Sequence, residues 1–366
     1  MTDYISLRRA LHDHPQTAGN EQYAHDLIVS HLQRLHPDKV YTHVGGYGVV
    51  ALWGHDALVP TVALRADTDA LPIGHRCGHD GHTTILLRTA ELLDDINGRG
   101  VSGRNVLLLW QPAEETGQGA RAVLESGILQ QYNIVAFYAL HNIPGYALGT
   151  VVLCPRTFAA ASTGVVYRMD GRETHASTPE LGLNPGLAVA ETVERFARLN
   201  VPPDASHLDA FRQSTLICVR LGAPAFGTSA GHAEAMFTLR AFTNDAMERL
   251  LAEANGIVAA AAARHRLSTE HSLVEPFRAT ENAPEGVEAI KKAADALSLC
   301  VVEQKLPFRW SEDFGEYLKC YRGAMLGMGS GDRQPELHHP DFDFPDALVE
   351  TAARMMLRLA VEETAS

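Results

Sequence analysis

No apolar run in this sequence approaches the roughly 20 residues that a membrane-spanning helix needs. The opening stretch, MTDYISLRRALHDHP, lacks the apolar segment of a secretory signal. Cysteine is scarce: Cys77, Cys154, Cys218, Cys300 and Cys320 are odd in number and far apart. That spacing excludes a disulfide framework and fits a reducing compartment. Basic residues are outnumbered, 31 against 44 acidic, for a net charge of −13. Without clustered Lys and Arg there is little to hold phosphates, which argues against a nucleic-acid partner. Internal repeats and low-complexity segments are also absent. These absences lead us to expect a soluble, cytoplasmic protein with neither membrane nor nucleic acid as partner. What is present is apolar material for a sizeable core, 46% of 366 residues, a length that suits two domains or one domain with a large insertion.

Periodicity supplies the organisation. Residues 3–36 read as helix broken near His14-Pro15. GVVALW (48–53), TVALRA (61–66), NVLLLW (105–110) and IVAFYAL (134–140) read as buried strands, alternating with helical patterns at 79–96 and 119–127. Apolar strands alternating with amphipathic helices predict an α/β domain with a mostly parallel sheet flanked by helices. The middle changes character. Strand 163–169, helix 185–199, strands 214–222 and 233–242, helix 244–265 and strand 266–275 give the order β-α-β-β-α-β, with Asn244 or Asp245 near the start of the long helix. That is a smaller α+β, ferredoxin-like unit. The expected division is a discontinuous domain, 1–162 and 277–366, interrupted by 163–276. The closing helix is expected over DALVETAARMMLRLAVEE, residues 346–363.

Three strands run into polar groups. TVALRA leads to Asp67 and Asp69, NVLLLW to Gln111, Glu114 and Glu115, and IVAFYAL to His141 and Asn142. In open α/β sheets ligands bind beyond the carboxyl ends of the strands, so parallel pairing would bring these sets to one edge. HRCGHDGH (75–82) opens a helix in the same region, and LHHPDFDF adds His338 or His339. Thiolate, imidazoles and carboxylates together suit zinc or a similar transition ion rather than calcium or magnesium. Taken singly, each residue has an ordinary explanation. Glu-Glu suits a helix start, Asp67 and Asp69 can cap a turn, and Cys77 can be an inert buried thiol. Two other readings compete: a thiol enzyme with Cys77 as nucleophile, and a non-catalytic binder.

RADTDALPI, RCGHDGHTTILL, LLWQPAEETGQGARAVLESG, ALHN, HASTP, WSEDF and LHHPDFDF occur in that order. Together with LRRALHDHPQTAGNE they resemble the amidohydrolase branch of the zinc aminoacylase and carboxypeptidase superfamily, which includes hippurate hydrolases and indole-acetyl-amino-acid hydrolases. The resemblance implies a catalytic domain carrying an inserted lid and dimerisation domain. It implies two divalent metal ions per subunit, zinc first, with manganese, nickel or cobalt as alternatives. Cys77 would bridge them; His79, Glu115, His141 and His338 would complete the ligands. Glu114 would be the general base, and Asp69 would orient the centre. His175 would reach the substrate carbonyl and Arg240 a substrate carboxylate. The implied reaction is hydrolysis of an N-acyl amino acid or small peptide by a homodimer or higher homo-oligomer. Dipeptidase or N-acetyl-diaminopimelate deacetylase activity is the alternative. Two departures stand out: the loop between ALPI and GHRCGHDGH, just before Cys77, is shorter than in the family, and Gly227 occupies a position where the family carries asparagine.

Overall fold

The computed structural model describes residues 3–54, 57–97 and 103–362. The chain runs α1 (Tyr4–His12), α2 (Gln22–Leu32), β1 (Lys39–Val44), β2 (Gly48–Trp53), β3 (Pro60–Asp67), α3 (His79–Asn97), β4 (Asn105–Gln111), α4 (Gly119–Glu125), β5 (Asn133–Pro144) and β6 (Val151–Leu153). Then follow β7 (Ala161–Asp170), β8 (Thr174–His175), α5 (Gly186–Ala197), β9 (Arg212–Leu221), β10 (Thr228–Ser229), β11 (His232–Ala241), α6 (Asn244–Arg264) and β12 (Ser268–Phe277). It ends with α7 (Pro284–Ala296), β13 (Val301–Glu303), α8 (Gly315–Leu318), β14 (Gly323–Gly331) and α9 (Leu348–Glu362). Glu363, expected in the closing helix, lies outside the described residues.

Two compact units emerge. One comprises the chain up to Phe158, Thr280–Lys305 and the residues from Glu312 on; the other comprises Ala159–Ala279 and Leu306–Ser311.

The first unit is built on an eight-stranded sheet, in the order β1-β2-β4-β3-β5-β14-β6-β13. Its centre, β4-β3-β5-β14, is parallel throughout. β2 and β4 are buried along their whole length, which is why they read as unbroken apolar runs. The main core lies where Ile85, Leu86 and Leu93 of α3 and Leu348, Met355 and Met356 of α9 meet the sheet residues Leu64, Leu108 and Tyr138. β1, β6 and β13 were not expected. The latter two are three residues each, and β1 is mostly exposed, so none carries a strong hydrophobic signal.

The second unit is an antiparallel sheet in the order β12-β7-β11-β9, the split βαβ arrangement. Tyr167, Phe196, Phe237, Leu250 and Ile257 fill the core with residues from α5 and α6. Thr243 caps α6, its side chain accepting from the Ala246 N–H, and Asn244 and Asp245 open the helix as expected. No helix among the described residues is long and apolar enough to cross a membrane.

Candidate metal centre

β4, β3 and β5 lie side by side and parallel, with Asp67 level with Gln111 and Arg65 level with Ala139. Their carboxyl ends therefore come out on one edge. β5 runs further than its apolar pattern, to Pro144, because β14 pairs with it through Gly327 opposite His141 and beyond. His141 and Asn142 thus sit within a strand, not after it. Gly78 lets the helix start come close. It has φ +99°, and a Cβ there would lie 2.2 Å from Asn142 Oδ1.

Cys77 Sγ stands 3.5 Å from His141 Nε2. Donor atoms of Cys77, His79 and His141 all lie within 4.8 Å of one another, and so do those of Cys77, Glu115 and His338. Cys77 therefore belongs to two donor groups. His79, Glu114 and Glu115 form a third. His339 is not in these groups; it is exposed, and its Nδ1 accepts from the Asp341 N–H.

Ring orientation is fixed from behind. His79 Nδ1 donates to the Asp69 carbonyl at 2.9 Å, and His141 Nδ1 to the Asn142 carbonyl at 2.8 Å. A carbonyl can only accept, so each Nε2 keeps its lone pair for the shared space. His79 Nε2 and Glu115 Oε1 are buried without a hydrogen-bond partner among the described residues, 3.8 Å apart. Two donors each about 2.0–2.2 Å from one ion stand roughly 3.5 Å apart. The donor set and this gap fit a divalent transition metal.

Carboxylates hold the turn after β4. Asp69 accepts the Glu114 N–H on one oxygen and the Glu115 N–H on the other, both at 3.0 Å. Glu21 accepts the preceding Ala113 N–H at 2.9 Å. Ala113 has φ +56°, a strained setting for alanine that persists only when its surroundings dictate it.

Several residues of this lattice were not singled out in the sequence. Arg65 is fully buried and donates to Gln111, Asp67 and Asp313, with Glu312 Oε1 at 2.9 Å. The Asp313 N–H reaches Glu114 Oε1 at 3.3 Å, so Asp313 of WSEDF abuts the proposed base. The available signal was a charged residue inside the apolar strand TVALRA, which implies a buried partner. His82 joins β3 to β5, through Asp67 Oδ1 at 2.7 Å and Asn142 Oδ1 at 2.6 Å.

Burial and crowding shift the acids upward. Burial, then the charges of Glu312 and Glu115, raise Glu114. Burial, opposed by His79 and reinforced by Asp69 and Asp67, pushes Glu115 up to about 7. Burial and Glu115 push the Cys77 thiol up. Such groups favour a nearby cation, which would hold them deprotonated.

His175 and Arg240 belong to the second unit. His175 is exposed on β8, its Nδ1 accepting from the Ser177 N–H at 3.1 Å. Arg240 donates to the Arg309 carbonyl at 2.7 Å and to Ser311 Oγ at 3.0 Å. Burial lowers its pKa.

The profile of peptidase family M20/M25/M40 matches residues 63–362. The chain belongs to this family. It is a hydrolase of carbon–nitrogen bonds. Among relatives of this M20 protein, YhaA of Bacillus subtilis, an amidohydrolase by name, is 27% identical over 98% of the chain and 94% of its own length. The IAA-amino acid hydrolase ILR1-like 5 of Arabidopsis thaliana is 28% identical over 97% of the chain and 85% of its own length. The fold matches that of the Bacillus subtilis YXEP protein, described as a dinuclear metal-binding peptidase, with a TM-score of 0.82 at 24% identity over 98% and 96% of the two chains.

Proposed function

We propose that this M20 protein hydrolyses the amide bond of an N-acyl or otherwise conjugated amino acid, releasing a carboxylic acid and an amino acid. The observation that carries this reading is Cys77 shared between two donor groups beside the buried Glu114. The relatives' names support the substrate class. Both the IAA-amino acid hydrolase and an aminobenzoyl-glutamate utilization protein of Klebsiella pneumoniae, 20% identical with a TM-score of 0.73 over 98% and 95% of the chains, name an amino-acid conjugate.

Cys77, His79, Glu115, His141 and His338 would hold two divalent ions, zinc first. When bound, these supply positive charge that acidifies a water and polarises the amide carbonyl. Glu114 takes the water's proton as the water oxygen attacks the carbonyl carbon. The carbon–nitrogen bond then breaks, and Glu114 returns the proton to the departing nitrogen. The neighbouring glutamates divide these roles by their surroundings. Both group with His79, but Glu115 groups also with Cys77 and His338, whereas Glu114 leans on the Asp313 N–H. Asp69 keeps both in place through their backbone. His175 and Arg240 are assigned the amide oxygen and a substrate carboxylate on the family resemblance alone.

The second unit is proposed as lid and dimerisation domain. Its edge strand β9 exposes Leu216, Ile217, Val219 and Leu221, an apolar edge that a second copy would cover.

The deciding experiment is Glu114→Gln. Metal content and fold should be kept while turnover falls by about 10²–10⁴; unchanged turnover sinks the mechanism. A mass-spectrometric panel of N-acetyl, N-benzoyl and longer N-acyl amino acids, with dipeptides and N-acetyl-diaminopimelate beside them, identifies the substrate.

A further inference from the structure

Two stretches have no role in the account above: LRRALH (7–12, with Arg8 and His12) and DFDFPD (341–346). The fold joins them. Arg8 on α1 is only 3% exposed. Its Nε donates to Asp346 at 2.8 Å, and one terminal nitrogen donates to Asp343 at 2.6 Å and to Asp80 at 3.1 Å. His12, one turn along, places Nδ1 2.8 Å from the same Asp80 oxygen. Asp80 directly follows His79 on the first turn of α3. Asp343 and Asp346 follow His338 on the segment that carries it. One buried guanidinium is thus bonded at once to the segment with Cys77 and His79 and to the segment with His338.

Other ties run between the same two segments. The His338 N–H donates to the Arg76 carbonyl at 2.8 Å, and the Arg76 side chain donates to the Phe342 carbonyl at 2.5 Å. Gly81 makes room for Phe344, whose ring would lie 2.3 Å from a Cβ at that position. His338 itself has φ +66°. A non-glycine residue keeps that conformation only where its surroundings dictate it, at a cost of about 1–3 kcal/mol.

We infer that Arg8 is a positioning residue for the metal centre. It sets the distance between His338 and the Cys77–His79 loop, and so sets how tightly the centre holds metal. This rests on the metal reading above. Without Arg8, Asp80 and Asp343 would face one another with only His12 between them, and Asp346 would keep only the exposed Arg9. Their repulsion would move the 338–346 segment away. Lysine is a poor substitute, because a point charge cannot bond three carboxylates along two edges of a plane. His12, Asp80 and Asp343 could by themselves be taken for a second cation site. Arg8 already lies among them and supplies that cation.

The test uses the full chain, stripped with a chelator and titrated with Zn²⁺ by calorimetry, with metal content and urea stability of the metal-free protein measured alongside. Arg8→Met should weaken binding of at least one ion by about 10–100-fold, and Arg8→Lys should recover only part of that. Asp343→Ala is the second variant, since its side chain is 57% exposed and its loss spares the core; it should weaken binding in the same direction, by less. Should Arg8→Met not fold, Asp343→Ala decides. Affinity unchanged in the folded variants, even with lowered stability, overturns the positioning role and leaves Arg8 a structural ion pair. A wild-type chain that takes up no Zn²⁺ overturns the metal reading and this inference with it.

Discussion

The two units handle polar groups in opposite ways. In the first, Arg65, Asp67, Asp69, His79, His82, Glu114, Glu312 and Asp313 are all buried and bonded to one another or to backbone. In the second, charged side chains pair across the open face of the sheet, as Arg168 does with Glu234 and Glu270. A buried lattice must satisfy every member, because an orphaned charge away from water is costly. A solvated pair can be lost with little penalty. The first unit is therefore expected to be intolerant of single-atom changes near the sheet edge, and the second to tolerate them.

The largest expected effect is at Arg65. Arg65→Met should cost about 3–5 kcal/mol, by leaving Asp67, Glu312 and Asp313 buried and unpaired. Arg168→Met, the matched change in the second unit, should cost far less, because water takes over its partners. Urea unfolding of both metal-free variants measures this, and equal costs would break the comparison.

A pair of glycines sharpens it. Gly78→Ala should destabilise by more than about 2 kcal/mol and disturb metal uptake, since φ is +99° and the new Cβ meets Asn142. Gly227 has nothing within 4 Å of the corresponding point and no strained φ. Gly227→Asn, which restores the family's residue, should therefore stay within about 0.5 kcal/mol of the parent. Its effect on turnover then reports on the substrate rather than on folding.

The edge strand offers a change with no folding cost. If β9 pairs two copies as proposed, Leu216→Lys with Ile217→Lys should leave the melting of the monomer nearly unchanged while light scattering shows the parent as a dimer and the variant as a monomer; a dimer that survives both charges, or a monomeric parent, contradicts pairing through β9.

The smallest effect is a pH dependence. The hydrogen bond from His12 to Asp80 holds the imidazole above its ordinary range, against burial and the charge of Arg8. Asp80 and Asp343 face it as anions, and the His75 ring lies 6.3 Å away. A raised pKa means that the folded state binds the proton more tightly than the unfolded chain. The stabilisation is complete below about pH 6.5 and is lost as pH rises through the raised value. His12→Gln should lack this decline in unfolding free energy above pH 6.5; identical slopes for the two proteins refute it.

Much of this protein was legible in its sequence. The buried strands are unbroken apolar runs because helices cover both sheet faces, and the β-α-β-β-α-β order was visible from periodicity alone. The gathering of Asp69, Cys77, His79, Glu114, Glu115 and His141 followed from strand ends and a Cys-x-His spacing. Short β6 and β13 were not visible, since three residues carry no period. Nor was the extension of β5 past Leu140, which depends on pairing with β14, distant in the chain.

The sequence by itself determined which residues are chemically able to act, because thiol, imidazole and carboxylate are properties of single side chains. The tertiary structure decided their partners. It set Nδ1 of His79 and His141 against carbonyls, spanned Asp69 across two consecutive N–H groups, and buried Arg8 and Arg65 among carboxylates from distant segments. Apart from His141 with its neighbour Asn142, those contacts join residues ten to hundreds of positions apart, as in His79 with Asp69, Arg65 with Asp313 and Arg8 with Asp346. No local pattern encodes them; they exist only once the sheet order and the packing of α1 and α3 are in place.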